Sequence, residues 1–299
     1  MGLPIVSHPA YQSPLAEGHR FPMGKYGRLA EVLRESGLAA DGFHPPEAAP
    51  PELIALAHDR LYVDQVFARA VPPEIERRIG LTVDEGLVRR ARHAPAGTLL
   101  AARLALEHGL AGSTAGGSHH GQRATGAGFC VFNDVAVAAL ALKGDGTIRR
   151  ALVIDLDVHQ GDGTADCLRG DPDLFTFSLH AEKNYPVRKI PGDLDVGLPD
   201  GTCDDAYLEA VAAHVPRLMD RVRPDLVFYN AGVDPHRDDR LGRLALTDRG
   251  LARREAAVVG EARRRGLPLV AVIGGGYAAD VDALARRHAL VFEAMAERF

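Results

Sequence analysis

The chain has 299 residues, 46% of them hydrophobic, and a formal net charge of −5. That much apolar side chain can fill a large core, which excludes an intrinsically disordered segment. The acidic balance argues against a nucleic-acid binder, which needs a basic face.

The elements follow in chain order. The N-terminus MGLPIVSHPAYQ lacks the basic stretch and long apolar run of a signal peptide, and 4–7 (PIVS) reads as a strand. Helices are predicted over 24–36 and 52–70, with the short proline-rich HPPEAAPPE (44–52) as a surface loop. Thr82 with Glu85 makes a capping box, and a helix over 97–108 stops at Gly109. A glycine-rich loop, GGSHHGQRATGAGFCVFND, precedes a helix over 131–143. Strands over 151–157 (ALVIDLD) and 174–179 (LFTFSL) come next, then a helix over 204–222 in which Pro216 predicts a kink or break. The strand at 225–230 (DLVFYN) leads to a helix over 247–265, stopped by Gly266. Its arginines, in RREAAVVGEARRRG, read as the solvated side of an amphipathic helix. A last strand (268–273, PLVAVI) and a helix over 280–298, with Asp280 as N-cap, close the chain.

These strands lack polar alternation, as strands covered on both faces do. Their alternation with helices predicts an α/β fold, a three-layer α/β/α sandwich around a central, mostly parallel sheet, with residues 1–299 forming one domain. No segment approaches about 18 uninterrupted apolar residues, so no membrane span is expected. Cys130, Cys167 and Cys203 lie far apart with no C-x-x-C pair. That spacing excludes a cysteine zinc site and a disulfide framework, and fits a reducing compartment, the cytoplasm.

Function in such sheets gathers beyond the carboxyl ends of the strands, and four loops there carry unusual residues. DLDVHQGDG holds Asp155, Asp157, His159 and Asp162. Asp157 and His159, two apart, point to the same side of an extended segment. Asp234, from NAGVDPHRDDRLG, would complete three ligands and leave a coordination position open, as in a catalytic zinc site. The D-x-H pair alone is a weak signal, with Asp157 capping the next turn as its structural alternative. Adjacent His119 and His120 in a glycine-rich loop read as a general base and a charge stabiliser, each needing a carboxylate to fix its tautomer. Asp155 and Asp162 are available for that. Tyr277, after Gly274, Gly275 and Gly276, is placed to donate a hydrogen bond to a developing oxyanion. The glycines are not followed by the Gly-Lys-Ser/Thr of a phosphate loop.

With these residues assembled, the chain resembles the zinc-dependent histone deacetylase family, of the arginase/deacetylase fold. The motifs are GGSHHG, GAGFCVFND, VIDLDVHQGDGT, FYNAGVD and IGGGY, in that order, and the likeness runs from about residue 4 to the final helix. HRFPMGKYGRL and YNAGVDPHRDDRLGRLALT look closest to the class IV type and its bacterial relatives. The resemblance implies one Zn²⁺ held by Asp157, His159 and Asp234. His120 would be the general base that becomes general acid, paired to Asp162, and His119 its electrostatic partner, paired to Asp155. Tyr277 would polarise the amide carbonyl. Gly128, Phe129 and Gly275 would line the acyl-lysine tunnel, with Leu241 deeper, near the acyl group. A structural K⁺ would sit beside the metal loop at Asp155, Asp157, His159, Ser178 and Leu179, mostly on backbone carbonyls.

The implied substrate is an acyl-lysine peptide or protein, or an acylated small amine, with acyl length and oligomeric state unspecified. Asp162 matches the class I pattern, whereas Leu241 is the class IV-like choice. The loop HAEKNYPVRK has no close class I equivalent. No long insertion like that of acetylpolyamine amidohydrolases is present. A binuclear manganese ureohydrolase of the same fold would need an aspartate where Gly161 stands. A non-catalytic binding module would not need every catalytic position filled.

Overall fold

The computed structural model describes residues 2–16 and 18–299. At its centre is a sheet of seven strands: β1 (Ile5–Val6), β2 (Leu110–Ser113), β3 (Ala151–Asp155), β4 (Leu174–Ala181), β5 (Leu194–Leu198), β6 (Leu226–Asn230) and β7 (Leu269–Val272). Their order is β1-β2-β7-β6-β3-β4-β5, and every pairing is parallel. In β3, Leu152 and Ile154 enter one hydrophobic core and Ala151 and Val153 the other. β6 divides Val227 and Tyr229 from Leu226 and Phe228 in the same way, and β7 divides Leu269 and Ala271 from Val270 and Val272. Each Leu, Ile or Val buried on either face contributes about 1.5–3 kcal/mol, and neither face leaves a solvent side for polar residues.

The first core is closed by α1 (Lys25–Glu35), α8 (Asp204–Val222), α9 (Asp248–Arg264) and α10 (Val281–Ala296), the second by α5 (Glu85–His108), α6 (Asp134–Gly144) and α7 (Asp162–Leu168). The short α2 (Pro51–Ile54), α3 (Arg60–Phe67) and α4 (Pro73–Ile79) add side chains to the first. The expected three-layer α/β/α architecture is present, and its sheet is parallel throughout.

Several expected elements differ. β2 and β5 were not predicted; β2 is four residues long, and β5 is a half-buried edge strand interrupted by Asp195 and Gly197. The helix expected over 52–70 is two, because the chain leaves helical geometry at 55–59, where the Asp59 N–H donates to the Arg123 carbonyl at 2.8 Å. α5 begins at Glu85, not 97, and runs through Pro95. Its cap is not the Thr82/Glu85 box but Asp84, whose carboxylate accepts from the Leu87 N–H at 2.8 Å. Pro216 does not break α8. Asp280 does cap α10, accepting from the Asp282 and Ala283 N–H groups.

The connections from β3 and β6, which are neighbours, run opposite ways: β3 leads to β4 on one side and β6 to β7 on the other. Such a switch point opens a crevice beyond the strand ends, and the loops carrying Asp157, His159 and Asp234 leave the sheet there.

Candidate metal centre

β3 ends at Asp155, in register with Ser178 of β4 and Asn230 of β6. The chain then turns inward, and Asp157, His159 and Asp234 bring a ligand atom each to within 4.8 Å of one another, all three buried. His159 Nδ1 lies 3.0 Å from Asp157 Oδ1 and 3.1 Å from Asp234 Oδ2. The backbone holds the other carboxylate oxygens. The Gly275 N–H donates to Asp157 Oδ2 at 2.7 Å, and the Val158 N–H to Asp234 Oδ1 at 2.8 Å. Gly275 lies so close that a Cβ there would fall 2.1 Å from Asp234 Oδ2 and 2.6 Å from Asp157 Oδ2. Two carboxylates and an imidazole converging in a buried pocket, with one side closed by a glycine backbone, form a donor set suited to a divalent cation.

Charge in the cluster is strongly coupled. Burial and the neighbouring Asp157 charge push Asp234 up to about 7. Burial alone would lower the His159 imidazole, but Asp157 and Asp234 outweigh it and hold it at about 10. A cation entering here would displace that proton.

The two adjacent histidines reach the same place from the other side. Their loop is pinned by Asp134, the first residue of α6, which accepts from the Gly117 N–H (3.0 Å), the Ser118 N–H (2.7 Å) and the Thr98 hydroxyl (2.6 Å). Gly117 itself has φ +79, and a Cβ on it would meet Asn230 Oδ1 at 2.4 Å, so only glycine fits that turn. His119 Nδ1 then lies 2.7 Å from Asp155 and His120 Nδ1 2.6 Å from Asp162. Asn230 and Gln122 donate to the second oxygens of these aspartates, at 2.9 and 2.8 Å. With each carboxylate accepting a hydrogen bond from Nδ1, both Nε2 atoms are left for other partners.

The environments of the two imidazoles differ. Burial, with the neighbouring His119 charge, pulls His120 down to about 4. Burial opposes the charge on His119 too, but Asp155 and Asp157 prevail and raise it to about 9.

Tyr277 is buried, its ring centroid 6.1 Å from that of His159 and 5.8 Å from that of Phe129. Burial and the charges of Asp157 and Asp234 push its phenol well above its ordinary value, so it stays protonated. Its loop is fixed from behind by the buried Lys25 of α1, which donates to the Gly274 carbonyl at 3.0 Å, and by Asp239, which accepts from the Tyr277 N–H at 2.6 Å.

Phe129, in a left-handed conformation (φ 68), forms one wall with Gly128. The small cavity that these two residues line is also bounded by Phe21, Tyr26, Arg90, His119, Gly275 and Tyr277. Leu241 is half-buried and does not line that cavity; its carbonyl accepts from Asn184 at 2.6 Å. Ser178 and Leu179 are buried in β4 behind Asp155.

The metal-ligand candidates, the two histidine–aspartate pairs and Tyr277 thus converge, Leu241 stands apart from the cavity, and the structure adds others. Tyr185 stands edge-on to His120, with centroids 4.8 Å apart at 89°, and forms a wall that the loop HAEKNYPVRK did not advertise. Asn230, Asp134 and Lys25 act through backbone groups and other side chains; all three lie inside motifs of the resemblance, Lys25 in HRFPMGKYGRL, but none was singled out for a role.

Residues 19–295 match the family model for the histone deacetylase domain. The chain is 47% identical over 295 residues to an uncharacterized protein of Picosynechococcus sp., covering 98% of both chains. It is 31% identical to histone deacetylase 2 of Arabidopsis thaliana, over 87% of this chain and 70% of that one. It is 29% identical to a probable deacetylase of Methanothermobacter thermautotrophicus, over 94% and 87%. In fold it is similar to the crystal structure of the HDA15 HD domain, with a TM-score of 0.81 and 19% identity, over 100% of this chain and 90% of that one.

Proposed function

Because the chain belongs to the histone deacetylase family, we propose that it is a zinc-dependent amidohydrolase that removes acyl groups from lysine side chains. The observation that carries this is the meeting of the Asp157–His159–Asp234 cluster, the His120–Asp162 pair and the Tyr277 phenol around one point. Asp157, His159 and Asp234 would hold the ion. When bound, it supplies Lewis acidity to the amide carbonyl and to a water.

The protein's own groups account for the rest. His120, neutral near pH 7 and donating its Nδ1–H to Asp162, takes a proton at Nε2 from the attacking water. The Tyr277 hydroxyl donates to the oxyanion as it develops. His119, tied to Asp155, stabilises negative charge beside it. His120 then returns its proton to the leaving nitrogen, giving lysine amine and a carboxylic acid, whose remaining proton passes to the amine so that the products are an ammonium and a carboxylate. Phe129 and Tyr185 would flank the lysine stem, and Asp155, Asp157, His159, Ser178 and Leu179 would hold a structural K⁺, mostly through carbonyls. The class IV-like motifs favour acyl groups longer than acetyl, by analogy of fold family. An acylated polyamine is the second reading, considered below with the charge around the mouth.

The test is hydrolysis of acetyl-, decanoyl- and myristoyl-lysine peptides beside acetylputrescine. Activity is expected on the peptides, lost on chelation and restored by Zn²⁺. Tyr277→Phe is expected to lower kcat by about 10²–10³-fold with zinc content unchanged. Full activity in the chelated protein would overturn the metal reading, and full activity in Tyr277→Phe would remove the phenol from the reaction.

A further inference from the structure

The chain carries a net charge of −5, yet cations gather around the walls of the site. The Arg20 guanidinium lies 5.1 Å over the Phe129 ring. The Arg240 side chain donates to the Tyr277 carbonyl at 2.6 Å and to the Arg20 carbonyl at 2.9 Å, which ties the two cations to the tyrosine loop. The Arg78 carbonyl accepts from the Gly128 N–H at 2.9 Å, and its guanidinium reaches Gln122 at 3.4 Å, the residue that supports Asp162. Lys183 and Arg188 flank Tyr185 on its own loop. All five side chains are exposed, and none forms an ion pair with a described carboxylate.

Two carboxylates next to the site are already engaged, while Glu182, exposed beside Lys183, offsets part of the charge of the Tyr185 loop. Asp239 accepts from the N–H groups of Tyr277, Leu241 and Gly242, and Asp162 is taken by His120 and Gln122. The charge of Arg78 also reaches the Tyr185 phenol, which burial holds up at about 12 against it. Positive charge around a concave, low-dielectric mouth concentrates anions there.

We propose that this rim selects acyl-lysines flanked by aspartate or glutamate in a peptide or protein, and rejects acylated polyamines. The inference rests on the deacylase reading for the site itself. With the lysine stem between Phe129 and Tyr185, the residues on either side of that lysine lie over Arg20, Arg78 and Arg240. Carboxylates there gain Coulomb energy. The free ammonium of an acylated polyamine meets the same cations and is repelled.

The experiment compares two fluorescent decanoyl-lysine peptides, identical except for glutamates or lysines on both sides of the acyl-lysine. Binding is read by anisotropy and turnover as kcat/KM, at 25 and 500 mM KCl. The glutamate peptide is expected to bind about tenfold more tightly at low salt, and the preference to shrink at high salt. In Arg20→Glu/Arg78→Glu the preference should vanish or reverse. Equal binding of the two peptides, or a preference indifferent to both salt and the double substitution, would overturn the proposal. So would a single-stranded oligonucleotide that binds more tightly than the glutamate peptide, since it would reassign the rim to nucleic acid. If the charge preference holds but neither peptide is cleaved, the rim inference stands and the deacylase reading falls.

Discussion

His120 can act as a base in the proposed reaction because its other nitrogen is already occupied. Asp162 accepts a hydrogen bond from Nδ1 at 2.6 Å, and Gln122 keeps that carboxylate in place. His120→Ala is therefore expected to lower kcat by about 10²–10⁴-fold with zinc content, measured by atomic absorption, unchanged. Asp162→Asn, which keeps the imidazole but replaces a pure acceptor with a group that can also donate, should cost less. Wild-type kcat in His120→Ala would place the base elsewhere. At this scale the sequence was readable where a residue type is rare in its setting, as with two imidazoles in a glycine loop or an aspartate two residues before a histidine. It was silent on the role of Lys25, which the motif HRFPMGKYGRL contains and which acts by holding the carbonyls of Gly274 and Gly276. Nothing in a helical lysine announces a backbone partner about 250 positions away.

Among the elements, α9 shows both how a pattern was read and where it misled. Its arginines were taken as solvated, and Arg253, Arg263 and Arg264 are exposed. Leu251, Arg254, Glu255, Val258, Val259 and Ala262 form the buried stripe, so two opposite charges occupy core positions. Arg254 is fully buried and donates to the Gly232 carbonyl at 2.7 Å and the Leu156 carbonyl at 3.1 Å, each next to a metal-ligand segment. Glu255 balances it at 2.5 Å and accepts from the Tyr229 hydroxyl, while Tyr207 of α8 donates to the Leu156 carbonyl at 3.2 Å. A helix on the far side of the first core thus clamps the ends of both β3 and β6. Arg254→Met is expected to cost about 3–5 kcal/mol in urea unfolding, because it strands Glu255 in the core. Adding Glu255→Gln should recover part of that loss. A single substitution that leaves stability unchanged would show the pair to be dispensable. The clue lay in the spacing: residues 254 and 255 fall three and four after Leu251, on the apolar face.

Across the whole molecule, the parallel sheet was legible because strands covered on both faces carry no polar alternation. The strand order was not, since it depends on which crossovers pack against which core, and the two weakest strands gave little pattern to read. The site loop at 117–133 is also tied to the distant segment before α3 by His58. This buried ring has Nδ1 2.9 Å from the Gln122 carbonyl, and its Nε2 accepts from the Asn133 N–H at 2.9 Å. That pairing requires the neutral tautomer, and burial lowers the imidazole to about 4. The unfolded chain takes up this proton near its ordinary value of about 6.5. As the pH falls below that, the unfolded state gains a proton that the folded state refuses. Stability from His58 is therefore complete above about 6.5 and is lost progressively down to about 4, amounting to about 3 kcal/mol. Urea unfolding of the wild type and His58→Gln between pH 7.5 and 4.5 checks this, because the glutamine cannot titrate. The wild type should lose stability faster with acid, and the gap between the two proteins should narrow across that window. Parallel pH profiles would mean that the folded imidazole takes up its proton at the same pH as the unfolded one, and that the loop and the α3 segment are joined by some other contact.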